Sequence, residues 1–478
     1  MRQLEQVVQD LGKSGRPKSV CGRNGGKRRL RPIRAALALT LLATASLAPG
    51  DLSPRQQLTP GNGTLVYDQE YPFLHYLDAP SRNEIARLQK RLDAGAVKLA
   101  TTPQHGYLEA LLQALDIDPD SQTLVFSKTS LQIDHISAAT PRAIYFNDDT
   151  YVGWVQGSQL LELVTMDADR GAVLYGLAAT DATPHVRREA LRCLTCHDSF
   201  AEMGGGVPHF LFESTYGVQG PTLLPDGVAR ETTDETPIAE RWGGWYVTGK
   251  DGGAFNLANI QTPLTNAPVP VKEVRRGSLS SLTALFDTSH YLRGTSDIVA
   301  LLVLEHQVTV HNQIIHTNYK ARLVLDQQQP GDDPDSLNWS QLSPRLQQRF
   351  EPMVRPLVDA LLMANAAPLP RKVVASNGFV DSFEARGPGD GRGRSLRQLD
   401  LDSRVFRYPL SFLIYSEGFD ALPLFVRQHV YERLAQLLQA PDPGAPYNTH
   451  SAADRQAAFE ILVATKPEFA RLVGPRHS

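Results

Sequence analysis

Cysteine is scarce in this sequence. Its 478 residues include three cysteines, Cys21, Cys193 and Cys196. The last two lie three residues apart, and no second pair accompanies them. This count excludes a small domain held together by several disulfides, even in an oxidising compartment. It also makes the spacing of the one pair informative.

Long apolar runs are missing as well. The apolar stretch Ala35–Leu47 covers 13 residues, whereas a membrane-spanning helix needs roughly 20. No other stretch looks long and apolar enough to span a membrane. Hydrophobic residues at 42% and charged residues at 21% are typical of a globular protein of two or three domains.

Positive charge is lacking outside the N-terminus. Residues 1–48 hold ten Lys and Arg against two acids, whereas residues 49–478 hold 38 basic and 49 acidic residues, a net charge of −11. An acidic body argues against nucleic acid as a partner, because nucleic acid selects basic patches. It suits a partner protein with a basic docking face.

The basic N-terminus is typical of a secretory signal. Basic residues from Lys27 to Arg34 precede the apolar run, and Ala43-Thr44-Ala45 matches a small-residue cleavage site. Residues 1–48 are therefore predicted to be a signal peptide and basic leader, which predicts a periplasmic or otherwise exported protein. The alternative is an uncleaved signal anchor.

Local patterns beyond the leader predict an α+β protein. Amphipathic helices are predicted from Ser81 and over Tyr107–Leu115. Apolar residues with a period of two predict strands at Thr123–Ser127, Ala143–Phe146, Tyr151–Gln156, Leu160–Met166, Ala172–Leu177, Val207–Glu213 and Gly244–Thr248. Further helices are predicted over Pro184–His197, Thr295–Asp326, Ser343–Ala366, Leu422–Gln439 and Ala452–Val463.

The remaining cysteine pair belongs to a recognisable motif. Cys193-Leu194-Thr195-Cys196-His197 has the pattern of a c-type haem attachment site. Two thiols one helical turn apart reach two vinyl groups on one porphyrin edge, and the next imidazole is the proximal ligand of the iron. Cys193, Cys196 and His197 are therefore predicted to bind one covalent haem c.

Two other interpretations of the pair remain. A thioredoxin-type redox pair normally follows a strand in a βαβ unit. A zinc site would need its other ligands from histidines, because no second cysteine pair exists. The predicted organisation is a leader at 1–48, an N-terminal α+β region with a small antiparallel sheet at 49–180, and a haem-binding region at 181–478. That last region is predicted to be a mainly helical, cytochrome c-like haem domain with a helical C-terminal half.

The sixth iron ligand decides between an electron carrier and an enzyme. Met203 and His209 follow the motif by six and twelve residues, although each is also an ordinary core or loop residue type. Two more candidates, His306 and His311, follow the apolar run Ile298–Leu304. All four are candidate distal ligands.

Glu305 follows the same apolar run directly. A glutamate in such a place needs a buried partner. It is either part of a polar network in the core or a candidate catalytic acid/base beside haem.

A basic segment is a candidate clamp for the haem propionates. Gly391–Arg397 contains three arginines, and Arg404 and Arg407 follow. Arginine binds carboxylates in a bidentate fork, and the rest of the chain is acidic. The alternative is a solvated loop.

The sequence resembles a family of secreted proteins with a single cytochrome c-type haem motif. The matching stretches are Cys193–His197, Glu240–Gly249, Ser296–His306, Gly393–Arg397, Phe406–Pro409, Leu413–Ser416, Ala143–Asp149 and Tyr151–Trp154. The resemblance implies haem c binding and electron transfer with a redox partner protein. Family members carry a His-Met/Leu-Gly-Asn segment where this chain reads Ala254–Asn259, a difference that favours an open or altered distal side.

These observations predict an exported c-type cytochrome that transfers electrons through one covalent haem. Two alternatives stay open: a peroxidase-like or oxidase-like haem enzyme, and a haem-based gas sensor. Both need an open position on the iron.

Overall fold

A computed structural model shows an α+β protein. It describes residues 75–77, 79–128, 130–179, 182–198, 207–215, 218–219, 222–223, 230–261, 269–270, 277–328, 331 and 333–473. These belong to one compact unit, Pro54–Ser478. The predicted leader and Met203 lie outside the described residues. The predicted boundary near residue 180 falls within this unit and stays a prediction.

The strands are short and the helices lie mainly after residue 297. The strands are β1 Thr123–Val125, β2 Arg142–Phe146, β3 Thr150–Trp154, β4 Leu160–Asp167, β5 Gly171–Ala178, β6 Val186–Arg188, β7 Glu213–Ser214, β8 Val218–Gln219, β9 Thr222–Leu223, β10 Arg230–Glu231, β11 Trp245–Tyr246 and β12 Val269–Pro270. The helices are α1 Glu84–Asp93, α2 Leu108–Ala114, α3 Leu191–His197, α4 Ile298–Gln328, α5 Pro344–Leu361, α6 Phe379–Glu384, α7 Glu417–Asp420, α8 Leu424–Gln439, α9 Ala452–Thr465 and α10 Pro467–Val473.

A seven-stranded antiparallel sheet organises the N-terminal half. Its strand order is β11-β1-β2-β3-β4-β5-β6. Because side chains alternate along a strand, β2 and β4 alternate between buried and partly buried positions. The fully buried face includes Tyr145, Val152 and Leu161. The opposite face carries Arg142, Gly153 and Glu162, and this second face lines the site described below.

The N-cap residue of helix α1, Asn83, connects the helix to strands β4 and β5 of the sheet. The Asn83 Oδ1 accepts from the Ala86 amide at 2.9 Å, as an N-cap residue should. Its Nδ2 donates to Asp167 Oδ2 at 2.9 Å and to the Tyr175 hydroxyl at 3.0 Å. One buried amide therefore both starts the helix and binds it to β4 and β5.

Helix α4 is the central helix of the described chain. It is apolar on nearly all sides, which is typical of a helix surrounded by protein. By length and composition it could cross a membrane, contrary to the expectation that no such stretch exists, but 94% of its most apolar window is buried inside the protein. Helix α4 packs closely against the β4–β5 turn at Gly171, whose φ is +71°. The Ile315 side chain fills the space that a Cβ at this glycine would need.

Two predicted elements are wrong in extent. The helix predicted over Pro184–His197 begins only at Leu191, because Val186–Arg188 instead pairs with Tyr175–Leu177 as β6. This pairing covers the edge of β5, which local sequence patterns do not reveal. The strand predicted over Val207–Glu213 is reduced to Glu213–Ser214. The other helices and the five central strands are confirmed within a few residues at their ends.

Candidate haem-attachment site

The three residues of the predicted attachment motif lie at one cavity. Helix α3 carries Cys193, Cys196 and His197 and ends with the histidine. Cys193 is partly buried, Cys196 is exposed, and the two are not joined in a disulfide. All three line the same cavity.

The His197 ring is held by a backbone carbonyl. Its Nδ1 lies 2.9 Å from the His209 carbonyl oxygen, and the His209 amide donates to the His197 carbonyl at 2.8 Å. Since a carbonyl can only accept, Nδ1 carries the proton and Nε2 presents its lone pair. This is the usual second contact of a metal-binding histidine, because it sets the tautomer and the ring orientation.

Burial keeps this imidazole neutral. Loss of solvent lowers the pKa of His197 to about 4, against the opposing effect of the His209 carbonyl. A histidine must be neutral to ligate a metal. The ring is therefore in the required state at neutral pH.

The segment behind His197 is anchored to the central helix. The Phe210 amide donates to Asn312 Oδ1 at 2.9 Å, and Asn312 Nδ2 donates to the Phe210 carbonyl at 2.9 Å. Helix α4 thus holds the segment that holds His197. This chain of contacts connects the motif to the most deeply buried helix.

The cavity has a volume of about 610 Å³, within the range of about 300–1,000 Å³ typical of ligand and cofactor pockets. Its walls mix aliphatic side chains with a few charged ones. The described lining residues are Lys128, Ser130, Leu131, Ile133, Arg142, Ile144, Tyr151, Gly153, Leu160, Glu162, Leu163, Val164, Leu174, Tyr175, Gly176, Glu189, Arg192, Cys193, Cys196, His197, Leu211 and Glu213. Strands β2 to β5 supply half of them, so a sheet forms a large part of the described wall, whereas a mainly helical haem domain was predicted.

An arginine and a glutamate face each other on the cavity wall. Arg142 Nε lies 3.5 Å from Glu162 Oε2. Glu162 also accepts from the Ser130 hydroxyl at 2.7 Å and the Leu131 amide at 3.0 Å. It therefore holds the segment that contains Ser130 and Leu131 beside the cavity. A Cβ at Gly153 would lie 2.7 Å from Arg142 Nε, so a larger residue here would displace the arginine side chain.

Burial disfavours the thiolate form of Cys193. Together with the nearby Glu189 and Glu162, and against the effect of Arg192, it raises the pKa of this thiol to about 12. Redox-active cysteines instead have pKa values below the usual range, because the thiolate is the nucleophile. In the described part of the chain, no group of three or more His, Cys, Asp or Glu side chains is placed to hold a metal ion.

The site fits a covalently attached porphyrin. It offers two cysteines one helical turn apart, a histidine with an oriented Nε2, and an adjacent cavity of suitable volume with aliphatic walls. A porphyrin needs these features because its ring is apolar and its iron takes nitrogen ligands. Cys193 and Cys196 would hold the ring, and His197 would bind the iron.

The candidate distal histidines lie elsewhere. His306 is fully engaged, with Nδ1 at 2.7 Å from Asp234 Oδ2 and Nε2 at 2.7 Å from the Ser411 hydroxyl. His209 is buried behind His197, with the ring centroids 6.4 Å apart. His311 lies behind Tyr151, which separates it from the cavity. None of these three histidines is among the described residues that line the cavity. Met203 lies outside the described residues and stays a candidate distal ligand.

Glu305 lies in a closed polar network. Its Oε2 accepts from Arg241 Nη1 at 2.7 Å and its Oε1 accepts from the Trp242 indole at 2.9 Å, all inside the core. Burial raises the pKa of Glu305 to about 7, against the effect of Arg241. Glu305 does not line the cavity. The geometry supports the structural interpretation of this residue.

The basic segment after residue 390 is used for ion pairs. Arg394 binds Asp390 at 2.7 Å and Glu460 at 2.8 Å, Arg404 binds Asp454 at 3.1 Å, and Arg397 binds Asp148. None of these arginines is among the described residues that line the cavity. The basic side chains that do line it are Lys128, Arg142 and Arg192.

Sequence patterns alone do not single out Arg142, Gly153, Glu162 or Gly176 as site residues. The signal that could have found them is the alternation in β4, where Glu162 stands between Leu160 and Val164 on one face. A charged residue on an otherwise apolar strand face indicates a partner or a ligand. The partner becomes visible only when strands pair.

Filling the cavity is expected to prevent haem loading. Val164 lies on the cavity wall between Glu162 and the end of β4, so Val164→Trp would place an indole within it. We expect the haem content per folded protein to fall severalfold, measured by the pyridine haemochrome absorbance. Val374→Trp, at an exposed position away from the cavity, is the matched control. Full haem content in Val164→Trp would show that the cavity does not receive the cofactor.

No family model, curated protein or solved structure matches this chain. The family resemblance described from its motifs stays a prediction. Function is therefore inferred from the site itself.

Proposed function

We propose that this protein is an exported c-type cytochrome that carries one covalent haem and transfers single electrons. The observation that carries the proposal is the position of Cys193, Cys196 and His197 at the wall of a cavity of about 610 Å³. When bound, haem c supplies a one-electron couple between ferric and ferrous iron.

The chain's own residues provide attachment, orientation and shielding. Cys193 and Cys196 form the thioether bonds. His197 binds the iron through Nε2, with its ring orientation set by the His209 carbonyl. The aliphatic walls contributed by β2 to β5 exclude water from the ring. A covalently held cofactor does not dissociate in an extracellular compartment, which agrees with the predicted leader.

The partner is a redox protein with a basic docking face. Residues 49–478 carry a net charge of −11, with 38 basic and 49 acidic residues. Charges of this kind steer encounter and raise the association rate, an effect that salt reduces.

The proposal is tested on protein made with the c-type maturation machinery. We expect haem that remains after acid–acetone extraction, one haem per chain, and a single reversible one-electron couple. A low-spin spectrum would indicate a six-coordinate electron carrier. A high-spin spectrum that shifts with added ligands would favour the enzyme or sensor alternatives. The absence of covalent haem would overturn the proposal.

A further inference from the structure

Three side chains connect the cavity wall to the protein surface. Tyr151 lines the cavity, and its hydroxyl lies 3.2 Å from His311 Nδ1. His311 Nε2 lies 3.7 Å from Asp149 Oδ1. The His311 side chain has no exposed surface, whereas 30% of the Asp149 side chain is exposed. Asp149 therefore has access both to solvent and to the buried imidazole.

The hydrogen-bond donors along this chain can be assigned. Gln307 Nε2 lies 2.9 Å from the Asn147 carbonyl and 3.2 Å from the Tyr151 hydroxyl, so its amide group donates. The Tyr151 hydroxyl accepts from Gln307 and donates to His311 Nδ1. A neutral imidazole carries one proton. That proton is on Nε2, which faces the Asp149 carboxylate.

The facing atoms of Asp149 and His311 have no other partner. Asp149 Oδ1 and His311 Nε2 are both buried, and neither makes a hydrogen bond to another group. Loss of solvent lowers the pKa of His311 to about 3, with a further contribution from His306. Burial raises the pKa of Asp149 to about 7, with neighbouring acids adding to the rise. The carboxyl therefore titrates near neutral pH, and the imidazole stays neutral.

The other charged groups near the pair each have a polar or charged partner of their own. Those facing Asp149 and His311 are Asp148 with Arg397, Glu417 with Arg87, His306 with Asp234, and Glu84, which accepts from Thr150 and Asn147. At the cavity wall Glu162 is held by Arg142 and two further donors. Asp149 differs from them because its buried oxygen has no cation or donor within hydrogen-bond distance.

We propose that Asp149 takes up one proton from solvent when one electron enters the haem site. The electron comes from the redox partner and resides on the iron, and the proton forms an O–H bond on the Asp149 carboxylate. The net charge of the protein and its cofactor is then unchanged by reduction. This inference rests on the proposed function, because it needs the haem. His311 and Tyr151 lie between Asp149 and the cavity wall.

The physical cause is electrostatic. Reduction adds one negative charge in a cavity whose wall is poorly solvated, and a nearby carboxyl group then binds its proton more tightly. Below the pKa of the oxidised state Asp149 is protonated in both redox states, so the potential is flat. Above it, proton uptake accompanies reduction, and the potential falls as pH rises until the pKa of the reduced state is reached.

The test is a redox titration of the haem-loaded protein across the neutral pH range. Above a pH of about 7, each tenfold drop in proton concentration should lower the potential by up to about 59 mV, the value for one proton per electron. Asp149→Asn should remove this dependence, whereas Asp149→Glu should keep it with a shifted onset. Asp335→Asn, which removes an exposed acid paired with Arg322, is the control for the lost charge.

A second readout is spectroscopic and is taken first on the wild-type protein. The infrared difference between reduced and oxidised protein should show a new carboxylic acid band, which Asp149→Asn lacks. A pH-independent potential in wild type, or a dependence that survives Asp149→Asn, would overturn the inference and leave the proposed function intact. Failure to attach haem would instead overturn the proposed function and this inference with it.

Discussion

Replacing Cys193 and Cys196 together by alanine is expected to abolish covalent haem attachment. The two thiols lie one helical turn apart on α3 at the cavity wall, and no other cysteine remains in residues 49–478. The measurement is haem staining of the denatured protein on a gel, which should fall to background. Each single variant should keep one thioether bond and show a shifted pyridine haemochrome band.

The matched control is Cys21→Ala, which removes the cysteine in the predicted leader. Its haem stain should equal that of wild type. A further variant, His197→Ala, should keep the covalent bonds but lose the proximal ligand, which a change of spin state reports. Staining that survives in the double cysteine variant would refute covalent attachment at this motif.

Removing the Glu305 carboxylate is expected to have the largest effect on stability. Glu305→Ala leaves Arg241 buried without its charge partner and removes the acceptor of the Trp242 indole. Breaking a buried ion pair in this way lowers the free energy of unfolding by about 3–5 kcal/mol. Denaturant unfolding with a fluorescence readout measures it.

Two controls test whether the loss of stability in Glu305→Ala comes from the buried ion pair. Glu305→Gln keeps an oxygen acceptor of similar shape, so its free energy of unfolding should fall less. Asp402→Ala breaks the exposed pair with Lys372 and should change stability little, because water screens such pairs. If folded Glu305→Gln kept its haem but lost peroxide turnover that wild type shows, Glu305 would be catalytic and the structural role proposed here would be wrong.

The tertiary contacts also show why Glu305 and His306 were ambiguous from sequence. Adjacent polar residues after an apolar run need buried partners, but the run does not say which. The partners come from distant segments: Arg241 and Trp242 for Glu305, and Asp234 with Ser411 for His306. A haem-facing role and a core network are therefore indistinguishable until the chain is folded.

The contact between Asp149 and His311 is also made by segments that are far apart in the sequence. Asp149 lies in the turn between β2 and β3. The polar residues of this segment predict a turn. Nothing in the local sequence places it near His311, 162 residues further along the chain. Their proximity results from packing α4 against the sheet, where Tyr151 in the middle strand β3 lies between His311 and the cavity.

The sequence by itself determined the Cys-x-x-Cys-His motif, the α+β class and most of the helices and strands. These follow from local causes: the spacing of the cysteines and the period of the apolar residues. Only the tertiary structure decided the rest. It turned residues 186–188 into an edge strand, placed a sheet beside the motif, paired the basic segment after residue 390 with carboxylates, and left Asp149 and His311 facing each other. Those outcomes depend on which distant groups compete for the same partner, and that competition is resolved by packing rather than by neighbouring residues.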